Sequence, residues 1–313
     1  MGLNTNYFDR EQECEWHFRN SDGFWHICTQ GEDQCVIFCD DDSYRYAITA
    51  MGITATEHAD VGILAYAIMS NHVHMILEGS REHAEEFFTE WRSKVKKHLG
   101  RHHDGVRWDG IEAEEVIEIT DLRMLRTEIA YCNRNGFVEG ACPTPFAYRW
   151  GSGRFYFSLP QDAGIPYSSL GYNSRRRLIH ARAQALPEHF NVLDGMIDPR
   201  SFCEFGKGMS FFTSGQTYFA EISRNFEAFS LVAGRLRDRI FLTDSELYPA
   251  MLQLCRQKYN KKKVSELSPD ERIETARELH DKFNASNAQI ARVLNISKRI
   301  VDELYPTSAK RKV

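Results

Sequence analysis

An α+β fold is predicted by three observations. Apolar runs of strand length fall at residues 25–30, 61–69, 72–77 and 116–119; stretches between and after them carry apolar residues at helical spacing; and the elements succeed one another as strand, helix, strand, strand, helix, strand, helix. The first six form a ferredoxin-like split β-α-β, an antiparallel sheet whose first and third strands lie at the centre. The seventh is a helix that can lie over one face of that sheet. A basic, all-helical region ends the chain.

Taken in order, residues 1–23 are polar and acidic and are left without an assigned element. Residues 25–30 supply the first strand. Asp40 to Ser43 carry N-cap chemistry, and Tyr44, Ala47, Ile48 and Met51 repeat at helical spacing up to Gly52. Residues 61–69 and 72–77 read as two buried strands joined at Ser70-Asn71. Arg81 to Leu99 is a helix with Phe87, Phe88, Trp91, Val95 and Leu99 along one stripe. After a short strand at 116–119, Asp121 caps a helix running to about Asn135, which Gly136 is expected to end. Residues 153–200 hold Gly, Pro and Ser signals around the basic run Arg175-Arg176-Arg177 and are expected to be a connector. Residues 201–265 read as helical, with Lys261 to Lys263 as a cation cluster. Ser268-Pro-Asp-Glu271 is a capping box with proline at the first helical position. Two short helices, 286–294 and 297–305, are joined by a tight turn at Asn295-Ile296. The stretch from about 268 to 305 therefore has helix-turn-helix shape, and the tail 309–313 is expected to be disordered.

At 313 residues with 42% hydrophobic content, the chain can bury a substantial core. Nothing approaches the roughly 20 apolar residues that cross a bilayer, and the N-terminus lacks the basic and apolar regions of a signal peptide, so a cytoplasmic protein without a membrane partner is expected. The eight cysteines show no paired Cys-x-x-Cys spacing and are expected to be free, mostly buried thiols. Net charge is −5, yet residues 1–200 carry 20 Lys+Arg against 30 Asp+Glu while residues 201–313 carry 19 against 14. Affinity for a polyanion is thus expected to concentrate in the second part.

The strongest chemical signal is Asn71-His72-Val73-His74-Met75-Ile76-Leu77. Strand side chains alternate with period 2, so His72 and His74 share a face, close enough to grip one ion. Such a pair alone is more often satisfied core or turn histidine than ligand. This stretch resembles the His-hydrophobic-His motif of the HUH nucleases in the form used by single-tyrosine transposases, among them the REP-associated tyrosine transposases. Three pieces accompany it in order: Phe24-Trp25-His26-Ile27, Tyr131-Cys-Asn-Arg-Asn135 and Tyr148-Arg-Trp-Gly-Ser152. The resemblance covers roughly the first half of the chain, an HUH domain over 1–152, with 153–200 as connector and 201–313 as basic helical region. One departure is Gly136, where relatives usually carry proline.

The resemblance implies a metal-dependent, single-strand DNA transesterase. His72 and His74 would hold Mg²⁺ or Mn²⁺ with Asn135 as third ligand, since Asn135 lies four residues after Tyr131 on one helix face. Tyr131 would attack DNA at hairpin-forming inverted repeats and leave a 5′-phosphotyrosine link. A free phenol has a pKa of about 10, and no residue is assigned as its base; His26 on the central first strand is a candidate neighbour, with a structural histidine as the more common account. Tyr148, Arg149 and Trp150 could stack an unpaired base and meet a phosphate; Arg175, Arg176, Arg177, Gln289, Lys298 and Arg299 could contact DNA. For each of these the ordinary account is packing or a solvated charge. Two other readings stand beside the transesterase. One is a catalytically inactive DNA-binding regulator that uses the helix-turn-helix. The other is an RNA-binding ferredoxin-like module, disfavoured because no aromatic stacking pair occupies a central strand. Monomer and homodimer are both open.

Overall fold

The computed structural model describes residues 5–29, 36–102, 114–138, 144–158, 163–180, 185–224, 232, 242, 244–283 and 285–306. The chain forms two compact units, Met1–Asp238 and Arg239–Val313.

The first unit is α+β and begins with a helix that sequence periodicity did not disclose, α1 (Thr5–Arg19). There follow β1 (Phe24–Thr29), α2 (Asp41–Glu57), β2 (Gly62–Ile68), β3 (Val73–Glu78), α3 (Arg81–His102), β4 (Glu114–Glu118) and α4 (Leu122–Val138). The four strands are ordered β2-β3-β1-β4, every pair antiparallel, so the first and third strands take the centre. The alternating side chains of β1 and β3 are buried on both faces of the sheet. That requires cover on each side: α4 lies against β2 and β3, while α2 and α3 pack on each other and against β2 and β1. The Trp91 indole N–H donates to Ala47 O at 2.9 Å, and Phe87, Phe88, Val95 and Leu99 are buried along the expected stripe. At the start of α2, Asp40 forms the expected cap as a full capping box with Ser43.

Residues 153–200, expected as a connector, are folded onto the unit, and the expected boundaries at 152 and 200 give way to one at 238/239. Strands β5 (Ile165–Pro166), β6 (Asn191–Leu193) and β7 (Met196–Ile197) make a second antiparallel sheet, with α5 (Tyr172–Ile179) between the first two. Ile197 joins Tyr167, Ile179 and Phe190 in an apolar cluster with Ile53 of α2. Burial of those apolar side chains is the physical reason, and residues at the two ends of the segment also close an open sheet edge. β2 is an edge strand whose outer backbone would otherwise lack partners. Glu204 N–H donates to Ile63 O at 2.9 Å, Ile68 N–H to Trp150 O at 3.0 Å, and the Tyr156 hydroxyl to Leu64 O at 2.8 Å. Tyr66 N–H donates to the Ser152 hydroxyl at 2.8 Å. Helices α6 (Phe205–Ser210) and α7 (Gly215–Arg224) pack on β2 and α4 in turn.

The second unit contains α8 (Asp244–Tyr259), α9 (Pro269–Phe283), α10 (Asn287–Leu294) and α11 (Lys298–Leu304). Leu279, Ile290, Leu294 and Val301 are fully buried. Ser286 and Gln289 form a capping box at α10, which ends with Asn295 in the left-handed conformation that asparagine tolerates. The unit carries 15 Lys+Arg against 10 Asp+Glu, a net +5. The described cysteines are free: Cys14, Cys28, Cys132 and Cys255 are buried, Cys203 partly so, and Cys39 is exposed. Cys35, Cys142 and the tail 309–313 lie outside the described residues. Among the described residues, no helix is long and apolar enough to cross a membrane.

Candidate functional site

The hairpin turn is closed by Met69 N–H donating to His72 O at 2.8 Å, so His72 leads into β3 and His74 is its second residue. Their rings lie 4.9 Å apart between centroids and nearly perpendicular, at 86°. Both are buried, at 2% and 0% exposure. In the β1–β3 register Cys28 stands opposite His74 and His26 opposite Ile76, which puts His26 and His74 on one face as diagonal neighbours. This is the face covered by α4. Tyr131 of α4 points its ring at the histidines, 5.5 Å from that of His74 and 6.3 Å from that of His26.

Glu128 and His26 complete the cluster, and sequence reasoning missed both as site residues. His26 Nδ1 lies 2.7 Å from Glu128 Oε2, and His26 Nε2 lies 3.1 Å from His74 Nδ1; all three side chains are at 0% exposure. Chemistry orients this chain. In the tautomer that puts the proton on Nδ1, His26 donates to the Glu128 carboxylate. His26 Nε2 then accepts from His74 Nδ1–H, which leaves the lone pair of His74 on Nε2. At His72 the Nδ1–H donates to Asn71 Oδ1 at 2.8 Å, so its lone pair also sits on Nε2. One signal could have found Glu128: it stands three residues before Tyr131, on the same face of the helix.

Asn135 is buried one turn beyond Tyr131, at 4% exposure, and its amide nitrogen has no hydrogen bond. A buried amide end without a bond fits a ligand position, because amide oxygen and nitrogen are interchangeable in assignment. Two imidazole nitrogens and an amide oxygen form a donor set suited to a divalent cation such as Mn²⁺ or Mg²⁺. His72, His74 and Asn135 could therefore hold one.

The helix that carries Tyr131 is bolted down along its length. Arg126 makes a bidentate pair with Glu11 of α1 at 2.7 and 2.9 Å. Asn133 donates to the Tyr218 hydroxyl at 2.9 Å and accepts from the Ser152 hydroxyl at 2.5 Å. Beside Tyr131, burial and the nearby Glu128 push the Cys132 thiol well above its ordinary pKa, so it stays protonated and does not compete as a nucleophile. Gly136 does not end the helix, which continues to Val138. Its lack of a side chain admits the Tyr148 ring, since a Cβ there would stand 2.1 Å from Tyr148 Cγ.

The remaining predicted residues fall elsewhere. The Tyr148 hydroxyl donates to Ile68 O at 2.6 Å, and the Trp150 ring stacks on Tyr44 at 4.9 Å with Arg149 on it at 4.7 Å. Arg149 pairs with Asp41 at 3.0 Å. Here the three residues take part in packing and ion pairing. Arg175 is drawn onto Tyr167 and donates to Ser168 O, whereas Arg176 and Arg177 are exposed. Gln289 spends its side chain on the cap and on Leu242 O, at 2.6 Å, which corrects its expected role as a DNA contact. Lys298 and Arg299 are exposed on α11, each paired one turn on, with Asp302 and Glu303.

No family model matches the chain, and no curated protein matches it. Among solved structures, the chain is similar to one of a REP-associated tyrosine transposase bound to a REP hairpin. The match has 13% identity, covers 45% of this chain and 87% of that one, and has a TM-score of 0.36.

Proposed function

We propose that the first unit is a metal-dependent, single-strand DNA transesterase that nicks and rejoins hairpin-bearing DNA through a tyrosine nucleophile. The observation that carries this reading is the convergence of His72, His74 and Tyr131 on one buried face, with His26 and Glu128 behind them. A phosphodiester is a poor electrophile whose charge repels nucleophiles. A divalent cation, when bound, would polarise the phosphate and offset that charge. The residues of the chain supply the rest. The Tyr131 hydroxyl oxygen forms the bond to phosphorus, the bond to the 3′-oxygen breaks, and the phenol proton is matched by the one the released 3′-hydroxyl gains. A 5′-phosphotyrosine link remains, and a second 3′-hydroxyl reverses the step on a new strand. The helix anchors at Glu11, Ser152 and Tyr218 hold the phenol in place, which is where positioning lowers the barrier. At 5% exposure the phenol is shielded, so an entering phosphate must displace covering side chains to reach it.

The arrangement of the four-stranded sheet fits the ferredoxin-like reading, and α10 and α11 with their tight turn fit a helix-turn-helix. We assign the +5 second unit to DNA-backbone contact, with Lys298 and Arg299 as its phosphate contacts. Replacing both with alanine is expected to weaken DNA binding and to lower the slope of log affinity against log salt by about 1–2. An unchanged slope in a fluorescence-anisotropy titration would assign α11 to protein docking.

The direct test incubates end-labelled, hairpin-bearing single strands and plain duplex with Mn²⁺ or Mg²⁺, and separately with EDTA. Nicking of the hairpin strand only, abolished by EDTA, is expected. Glu128→Gln is expected to weaken Mn²⁺ binding by up to about tenfold, the low end for losing an outer partner, because Glu128 acts on the ligating His74 through His26. Calorimetric titration of the variant with Mn²⁺ checks it. Wild-type affinity would remove Glu128 from the site.

A further inference from the structure

A second cluster of metal-ligand chemistry lies away from Tyr131, in the first unit. Asp42 is in the first turn of α2, His98 is near the end of α3, and His180 caps α5. One donor atom from each lies within 4.8 Å of the others. The His98 and His180 rings are 4.4 Å apart at 72°, and His98 lies flat on Tyr46 at 3.8 Å and 14°. His98 is 3% exposed, so it forms the buried floor. Next to Asp42 and His180 opens a cavity of about 550 Å³, lined by both of them and by Tyr46, Arg45 and Arg177, with His98 buried behind its wall.

We propose that Asp42, His98 and His180 bind a divalent transition-metal ion of the zinc type, with its fourth position open to this cavity. Two imidazoles and one carboxylate, with a remaining position for water or an anion, are the donor set such an ion takes in open sites. Zinc bonds of 2.0–2.2 Å place tetrahedral ligands roughly 3.4 Å apart. Side-chain rotation at exposed Asp42 and at His180 closes the difference, while the stacked His98 serves as the fixed ligand. Two further observations fit. His180 takes the left-handed conformation, φ 49° and ψ 26°, at a cap position that glycine or asparagine usually fills. A histidine there aims its ring at His98. The guanidinium of Arg45 bonds to Asp41 and to Asp194 O, and the carboxylate of Asp42 stands outside those bonds. The ion would tie the segment carrying α5 to α2 and α3, elements distant in sequence.

The test uses the full chain carrying His72→Ala and His74→Ala, which silences the other candidate site. After EDTA stripping and dialysis it is titrated with Zn²⁺ by calorimetry and with Co²⁺ by visible absorption. One ion per chain, a tetrahedral Co²⁺ spectrum and a Zn²⁺-dependent rise in the thermal transition are expected. Adding Asp42→Asn or His180→Asn should cut affinity at least about tenfold and erase the thermal shift. Both changes suit folding, because Asp42→Asn keeps the size of the side chain and asparagine adopts the left-handed conformation that His180 takes. No ion in the double variant, or unchanged binding after Asp42→Asn and His180→Asn, overturns the proposal and leaves a stacked polar cluster. Neither result bears on nicking by the wild-type chain.

Discussion

Tyr131→Phe is expected to abolish the covalent protein–DNA adduct while hairpin binding stays within a few-fold of wild type. The substitution deletes one oxygen and keeps the ring that packs beside His26 and His74. A tyrosine without a chemical role loses little on this change, of the order of 0.5 kcal/mol in stability and almost nothing in rate. A positioned nucleophile loses orders of magnitude. A denaturing gel with end-labelled substrate reads the difference as a slow band that protease digestion removes. If the variant still forms that band, another group is the nucleophile and the role drawn from its neighbours is wrong.

His72→Ala is expected to lose cleavage by a different route, through the cation, and to regain part of it at higher Mn²⁺ concentration. His74→Ala should lose cleavage as well, but the two variants should part on stability. His72 sits at the turn, where its ring bonds Asn71 Oδ1. His74 lies at the sheet centre against His26 Nε2, so its removal strands a buried polar atom at a cost of about 1–3 kcal/mol. Calorimetric Mn²⁺ titration and thermal melts together read this. Equal Mn²⁺ affinity in wild type and His72→Ala would take the metal role away from the hairpin. Tyr131→Phe should retain Mn²⁺ binding, so the set separates the nucleophile from the ligands.

The parts of the site legible in the sequence are those governed by neighbours a few residues apart. The apolar runs around Ser70-Asn71 and the two-residue spacing of His72 and His74 describe a hairpin with two imidazoles on one side, and the hairpin is present with those rings 4.9 Å apart. The i, i+4 spacing of Tyr131 and Asn135 on a capped amphipathic stretch places both on one helix face. The helix start at Ser286 is equally local, and the structure makes it a capping box with Gln289.

What the tertiary structure decided depends on pairings that no short window contains. Glu128 and His26 are 102 residues apart and meet only because β1 takes the sheet centre beside β3 and α4 crosses that face. The sequence held His26 as an ordinary structural residue for that reason. The face of Trp150 meets Tyr44, and residues 153–200 looked like a linker until Tyr167, Ile179, Phe190 and Ile197 met Ile53 of α2 in one apolar cluster. In each case the amino-acid sequence determined which groups could bond, and the meeting of distant strands and helices determined which of them did. Backbone propensity is a short-range property; the satisfaction of buried polar groups is a global one.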